Sequence, residues 1–249
     1  MEKLTLLWAL VKRDYALQYA GSFLGISWMV LQNLALISVY AVVFLVFSWK
    51  REGTESDYIA YLLTGLLFWI PLQELLVRGT GILSDNRSLI KRSNIGPDLF
   101  LWIPFVQYLI HSFLTAIPVF FVLLQKGMVS VVSFGIGYLY LVGMGLYLML
   151  LLHYLSRINV LLKDISPLVR LLSSLLFWAV PILYYPSENW KSWNLLNPFT
   201  IPLDIFRYVT IPNYEAHFAW SGIWMFFLAF GLVFFLARTK LQKIILDHL

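Results

Sequence analysis

Long stretches without a charged residue set the pattern of this chain. Lys, Arg, Asp and Glu are absent from 15–49, 99–125, 127–156, 171–187 and 216–237, and a shorter gap at 58–73 continues past Glu74 to Val77. A helix that crosses a bilayer needs about 20 apolar residues. The six gaps therefore predict six membrane-spanning helices, at about 26–48, 58–77, 99–124, 130–152, 165–184 and 216–237. The alternation typical of membrane strands is absent, which favours an all-α integral membrane protein.

The first residues predict a helix of a different kind. Between residues 3 and 19 the apolar side chains recur at helical spacing and form one stripe: Leu4, Leu7, Trp8, Val11, Tyr15 and Tyr19. Lys3, Lys12 and Arg13 lie off that stripe, which favours an amphipathic helix in the headgroup plane. A cytoplasmic extension of the first span is the alternative. The charges at 12–14 also argue against a cleavable signal peptide.

Composition and the distribution of charge support the same class. Hydrophobic residues make up 60% of the 249 residues, charged residues 12%, and the mean hydropathy is +0.78. With six spans, twelve of the eighteen Lys and Arg residues fall on the side of the N-terminus, five fall on the other side and Arg170 lies inside a span. Because basic residues are retained in the cytoplasm, both termini are expected there. The net charge of +5 then reflects topology and acidic lipid, and it requires no nucleic-acid partner.

Residues suited to catalysis or metal binding are sparse. The chain has no cysteine, and its four histidines are scattered without the i, i+4 pairing of a metal-binding helix: His111, His153, His217 and His248. We expect no metal site. Neither a G-x-x-x-x-G-K-[ST] phosphate loop nor a G-x-S-x-G nucleophile motif occurs. The sequence therefore gives this chain no means of its own to hydrolyse ATP by that route.

One acidic residue, Glu74, lies within the predicted spans, and Asp204 lies in a proline-rich segment. Proton-coupled carriers usually contain several intramembrane carboxylates. Because Glu74 adjoins Gln73 and is four residues from Arg78, a structural role at a helix end is favoured over a proton relay, although both would explain the residue.

The segment 181–212 between the last two spans is rich in proline and aromatic residues. Its five prolines, Pro198 and Pro202 among them, divide it into short pieces because proline interrupts regular helices. Short amphipathic helices that re-enter the membrane fit this pattern, since irregular backbone at membrane depth must be buried in protein or line a wet cavity. An ordinary interfacial loop anchored by Trp190 and Trp193 is the alternative.

Four stretches carry a resemblance to a known family. They read, in chain order, RDYALQYAGSFLGISWMVLQNLALISVYAVVF, YIAYLLTGLLFWIPLQELL, NRSLIKRSNIGPDLFL and NPFTIPLDIFRYV. Together they resemble the membrane subunits of bacterial ABC polysaccharide exporters, the O-antigen, capsule and teichoic-acid permease group, over about residues 12–212. Two positions depart from the family pattern. Asn33 replaces a usual proline, and 94–98 replaces a Phe-Pro-Arg type motif.

The resemblance implies a single permease domain, 1–249, in the bacterial cytoplasmic (inner) membrane. It implies a homodimer with two copies of a separate ATPase subunit, which would bind ATP and Mg, so that this chain is not an enzyme and holds no cofactor. A lipid-linked polysaccharide such as an O-antigen would pass through a channel at the permease dimer. The alternatives are an ABC exporter of a drug or small lipid, and a membrane-embedded polyprenyl-linked glycosyltransferase, which should carry a cluster of acidic residues that is not seen.

The resemblance also implies that SDNRSLIKRSN, residues 84–94, is the segment that docks on the ATPase. The predicted coupling residues are Arg87, Ser88, Leu89, Ile90, Lys91 and Arg92. We expect Ser84 or Asp85 to cap a short helix, with Leu89 and Ile90 giving an apolar contact and the basic residues facing an acidic rim. Anchoring of the loop to anionic lipid is the alternative.

Aromatic residues, 17% of the chain, suit a glycan path because sugar rings stack on aromatic faces. The predicted channel-lining residues are Tyr40, Phe44, Tyr61, Trp69, Phe177 and Trp178. For any one of them, packing in the core or against lipid is the alternative. In the outer re-entrant segment, Pro198, Pro202, Asp204 and Arg207 are predicted at the channel exit.

Two further roles are left with alternatives. Arg207 either meets a phosphate of the lipid carrier or pairs with Asp204, three residues back on a helix. Gly21 and Gly25 have the small-residue spacing that allows close approach of helices, in a dimer or within one subunit.

Overall fold

The computed structural model describes residues 2–25, 27–46, 55–92, 95–186, 194 and 197–218. The regular structure in these ranges is helical: α1 Glu2–Gln18, α2 Ser27–Val46, α3 Glu55–Asp85, α4 Arg87–Arg92, α5 Pro97–Gln125, α6 Val131–Leu161, α7 Ile165–Ala179 and α8 Thr200–Thr210. The all-α prediction is confirmed for this part of the chain.

Three of the described helices are long and apolar enough to cross a membrane: α3 from Tyr58 onward, α5 and α6. They coincide with the second, third and fourth predicted spans. Both α3 and α6 run about two turns past the predicted ends at 77 and 152. α2 coincides with the first predicted span. The sixth, 216–237, lies almost wholly outside the described residues, so the count of six stays a prediction.

The fifth predicted span, 165–184, is too long. α7 ends at Ala179, and Val180 adopts an extended conformation with φ −78° and ψ 137°. The cause is Pro181, because a proline disfavours helical geometry in the residue before it. At 1.5 Å per residue α7 is roughly 22 Å long, shorter than the bilayer core of about 30 Å. The polar backbone at 180–184 therefore needs partners from the rest of the chain.

α3 is the central helix of the bundle. It contacts α2, α4, α5, α6, α7 and α8, and Leu66, Phe68, Trp69 and Leu72 along it are fully buried. Such enclosure explains why α3 is apolar around its whole circumference rather than along one stripe.

α1 is a separate helix that packs on α5. Its buried face consists of Leu10, Val11 and Tyr15, whereas Leu4 is 74% exposed and Trp8 is 48% exposed. The predicted stripe is thus only partly the packing face, which is rotated toward Leu10. Because the chain leaves the helical conformation between α1 and α2, α1 is not a continuous extension of the first span.

Within one subunit, Gly21 and Gly25 do not bring two helices close together, whereas a close approach in a dimer stays a prediction. Both lie in the link between α1 and α2, at φ +78° and +52°, a backbone conformation that glycine adopts at least cost. A Cβ added at either position would meet no atom within 4 Å. These glycines turn the chain between two helices.

Candidate functional site

The predicted coupling helix exists as α4, and it follows α3 after a single residue, Asn86. The backbone N–H groups of Leu89 and Ile90 both donate to the Asn86 carbonyl, at 3.0 Å. The side chain of Asn86 donates to the Ile82 carbonyl at 2.9 Å and accepts from Arg13 on α1. Asn86 therefore joins three helices at the point where the chain turns into α4.

Ser84 and Asp85 do not begin α4 as predicted. Both belong to the last turn of α3, where the Ser84 hydroxyl accepts a hydrogen bond from Asn159 Nδ2 at 3.0 Å. Asn159 Oδ1 in turn accepts from the backbone N–H of Ser166 at 2.9 Å. Since Asn159 lies near the end of α6 and Ser166 at the start of α7, Ser84 ties three helix ends together beside α4.

α4 exposes cations and buries its apolar residues. Ile90 is 8% exposed and packs in the cluster that includes Val11 of α1 and Phe100 of α5, with Leu89 partly buried against it. The other four predicted coupling residues are exposed: Arg87, Ser88, Lys91 and Arg92. The apolar contact expected with a partner is thus made largely within the chain, and the surface that α4 presents is basic.

The backbone after α7 is held by side chains from α3 and α8. Arg207 Nη1 donates to the Pro181 carbonyl at 2.8 Å, and Nη2 donates to the carbonyls of Tyr61 and Ile182 at 3.1 and 3.4 Å. The Tyr61 hydroxyl lies 2.7 Å from the Pro181 carbonyl and 2.9 Å from the Tyr184 carbonyl, and shares its one proton between them. We call Tyr61, Arg207 and the segment 180–184 the Arg207 cluster.

The guanidinium at the centre of the Arg207 cluster is closed to solvent. Arg207 is 1% exposed, and its guanidinium lies 3.3 Å from the centroid of the Tyr61 ring. Tyr58 adds a hydrogen bond from its hydroxyl to the Leu183 carbonyl at 3.0 Å. Four consecutive non-helical carbonyls, at 181–184, therefore have donors, which meets the requirement for irregular backbone inside a membrane.

The side chain of Asp204 accepts hydrogen bonds from residues that follow α8. Its carboxylate accepts from the Tyr214 hydroxyl at 2.8 Å and from the Phe218 backbone N–H at 3.2 Å. Within the described residues, no ion pair joins Asp204 to Arg207, so the predicted pairing is not formed. Pro198 is exposed before α8, and Pro202 is buried in its first turn, where a missing N–H costs little.

The predicted channel aromatics occupy different environments. Tyr61, Trp69 and Phe177 are buried at 1%, 0% and 7% exposure, whereas Trp178 is 63% exposed. The side chains of Tyr40 and Phe44 lie outside the described part of the structure. Trp69 donates to Gln73 Oε1 at 3.0 Å and meets Phe199 edge-on at 5.2 Å between ring centroids.

A polar network joins α1 to α3 and α5. His111 is 2% exposed; its Nδ1 lies 2.6 Å from Glu74 Oε2 and its Nε2 lies 2.9 Å from the Tyr15 hydroxyl. Arg78 lies 2.5 Å from Asp14 Oδ2 and 4.0 Å from Glu74 Oε1. We call these five residues the His111 network. The network supports a structural role for Glu74, the role favoured above over a proton relay.

Burial, reinforced by the nearby Glu74 carboxylate, raises the pKa of Tyr15 above its ordinary value. The phenol therefore keeps its proton at neutral pH and can donate it to an unprotonated His111 Nε2, the tautomer in which Nδ1 donates to Glu74. Within the described ranges, no three side chains converge to hold a metal ion.

Neither the Arg207 cluster nor the His111 network follows from the sequence. Tyr61 and Arg207 are 146 residues apart, and Tyr15 and His111 are 96 apart. The sequence did contain an indication of each one. Arg207 is a lone arginine in an apolar, aromatic segment, and Glu74 is a lone acid in a predicted span. Both need buried partners.

The relationship to known proteins decides the family. No family model matches the chain. It is 30% identical over 186 residues to the O-antigen export system permease protein RfbA of Myxococcus xanthus, and the match covers 72% of this chain and 68% of that protein. The chain belongs to the family of ABC polysaccharide-export permeases. The resemblance seen in the sequence is confirmed, and the permease is a transporter subunit rather than an enzyme.

Proposed function

We propose that this permease is the membrane-spanning subunit of an ATP-driven exporter that moves a lipid-linked polysaccharide across the bacterial cytoplasmic membrane. The observation that carries the proposal is the 30% identity to an O-antigen export permease over most of both chains. A separate ATPase, in two copies, supplies the energy, because the chain has no phosphate-loop motif. The permease acts as a homodimer with both termini in the cytoplasm.

α4 is the docking site for the ATPase in this proposal. Its exposed Arg87, Lys91 and Arg92 offer cations to an acidic surface and set the orientation and rate of encounter. Ile90 fixes the helix to the chain's own core. Since α4 directly follows α3, which contacts most of the bundle, a force on α4 reaches the membrane-spanning helices.

The glycan path uses exposed aromatic faces. Trp178 on α7 is the predicted channel residue whose described side chain projects from the bundle. A weak stacking contact suits a polymer that must keep moving, since transport requires sites that release the substrate. The segment around α8 forms the channel exit, and the Arg207 cluster holds it in place rather than contacting substrate.

The test is deletion of the chain in its native host, followed by complementation. We expect loss of the surface polysaccharide together with accumulation of the lipid-linked polymer inside the cell, and recovery of export with the wild-type chain. A glycosyltransferase would instead give no polymer at all. An exporter of a drug or small lipid would leave the surface polysaccharide unchanged, so either result would overturn the proposal.

A further inference from the structure

A polar pocket lies where α1 passes into α2. It is open to the surface, has a volume of about 400 Å³ and is lined by Gln18, Tyr19, Ser22, Trp28 and Gln32. Sites for small molecules typically enclose about 300–1,000 Å³, so the pocket is large enough for a ligand. Neither the His111 network nor α4 accounts for these five side chains.

The local backbone brings the five residues together. Gln18 ends α1, whereas Trp28 and Gln32 are four residues apart on α2 and share one face of that helix. Gly21 and Gly25 turn the link with positive φ, and the Ser22 hydroxyl accepts from the Gly25 N–H at 3.2 Å. The pocket is therefore shaped by a defined turn.

The lining combines two aromatic residues with neutral hydrogen-bonding groups, and its exposed area is mostly polar. Tyr19, which also stacks on Tyr15, and Trp28 contribute aromatic rings. Each glutamine amide offers two N–H donors and a carbonyl acceptor. Arg78 donates to Gln18 Oε1, which orients that amide, while Arg78 itself is paired with Asp14. Among the described residues that line the pocket none is charged, so an anionic ligand would gain no direct partner from them.

We propose that this pocket binds a sugar unit of the exported glycan as it enters the transport path. A pyranose ring presents C–H groups that stack on aromatic faces and hydroxyls that pair with amides, which is the chemistry that Trp28, Tyr19, Gln18 and Gln32 provide. The inference rests on the proposed function and adds to it an entry site, at the end of the bundle that carries α1.

Photo-crosslinking in the native host, with the full chain and its partners present, tests the site. A benzophenone amino acid is placed at Tyr19 or Trp28, and in a matched control at Phe23, which is 102% exposed but does not line the pocket. Illumination should attach polysaccharide to the permease at the first two positions and not at Phe23. Equal attachment at all three positions, or attachment of phospholipid alone, would overturn the inference.

Substitutions provide a second measurement. Losing one aromatic contact weakens binding by about two- to tenfold, so Trp28→Leu should lower the export rate by that factor at normal protein level, and Trp28→Phe should largely restore it. Gln32→Leu should act in the same direction. Trp102→Leu is the control, because Trp102 is 43% exposed and Trp28 is 42% exposed. Normal export in both Trp28→Leu and Gln32→Leu would refute the site.

The outcomes separate this inference from the proposed function. If deletion of the chain abolishes polysaccharide export but neither Tyr19 nor Trp28 crosslinks to glycan, the pocket is not an entry site and the function stands. If deletion leaves export intact, both proposals fail.

Discussion

Replacing Arg207 with methionine tests whether a buried guanidinium holds the segment 180–184 against the bundle. Arg207 is 1% exposed, and its shorter hydrogen bonds run to the carbonyls of Pro181 and Tyr61 at 2.8 and 3.1 Å. Methionine keeps an unbranched apolar stem but has no donor groups. The variant therefore removes the hydrogen bonds with a modest change in packing, and we expect a less stable protein that still inserts.

The magnitude follows from opposing contributions. Hydrogen bonds from a charged donor contribute about 1.5–3 kcal/mol each, and a desolvated cation over an aromatic ring adds about 2 kcal/mol. Against this, removing the buried cation recovers a desolvation cost of several kcal/mol. The Pro181 carbonyl also keeps its bond from the Tyr61 hydroxyl. We expect Arg207→Met to lower the free energy of unfolding by about 2–4 kcal/mol.

The assay is thermal unfolding of the purified chain in detergent, followed by tryptophan fluorescence. At about 2–4 °C per kcal/mol for a chain of this size, the midpoint should fall by about 4–16 °C. Arg170→Met is the matched control, since Arg170 is an exposed arginine on α7, and it should leave the midpoint nearly unchanged.

Gly65→Ala perturbs the same cluster from the other side. A Cβ at Gly65 would lie 2.7 Å from Arg207 Nη2 and 3.0 Å from Ile182 Cγ2, so the guanidinium must shift. Its destabilisation should be smaller in the Arg207→Met background than in the wild-type chain, which a double-mutant cycle measures. An unchanged midpoint in Arg207→Met together with lost export would refute the reasoning and assign Arg207 to the substrate.

On α4, Lys91→Glu should abolish copurification of the ATPase and leave the unfolding midpoint unchanged. Ile90→Asp should abolish copurification and also lower the midpoint, because it buries a carboxylate. If Lys91→Glu still copurifies with the ATPase, docking through the basic face is contradicted. His111→Phe should weaken the packing of α1 on α5 by about 1–3 kcal/mol, which faster trypsin cleavage within α1 would reveal. Unchanged cleavage would show that the His111 network does not hold α1. Trp178→Ala should lower glycan export without loss of stability, whereas Trp69→Ala should cost about 3–5 kcal/mol of stability; normal export in Trp178→Ala would exclude that residue from the path.

The positions of the long helices could be predicted from the sequence because lipid imposes a simple rule on composition. Low charge located α3, α5 and α6, but it did not place the ends of α3 and α6, because a helix can continue past charged residues. α3 therefore continues past Arg78 to Asp85. The early end of α7 could have been predicted from Pro181, because a proline disfavours helix in the residue before it, but hydropathy alone does not take this into account.

The orientation of short elements could not be predicted in the same way. A six-residue helix has no reliable periodicity, and Leu89 and Ile90 suit an external contact as well as an internal one. Only the packing of α1 and α5 around Ile90 decides between them. Likewise, the spacing of Gly21 and Gly25 fits both a helix contact and a turn, and their positive φ values distinguish the two.

α3 connects the two ends of the molecule that matter for the proposed function. Tyr61 lies in the Arg207 cluster near one end, and α4 follows the other end at Asp85, roughly 36 Å away at 1.5 Å per residue. Pro71 removes one backbone hydrogen bond between them, yet its neighbours Leu72 and Trp69 are fully enclosed. Because close-packed interiors transmit displacement rather than absorb it, a partner that moves α4 would move the Arg207 cluster too. Loosening that cluster with Arg207→Met should therefore reduce export per ATP hydrolysed even when the ATPase remains bound.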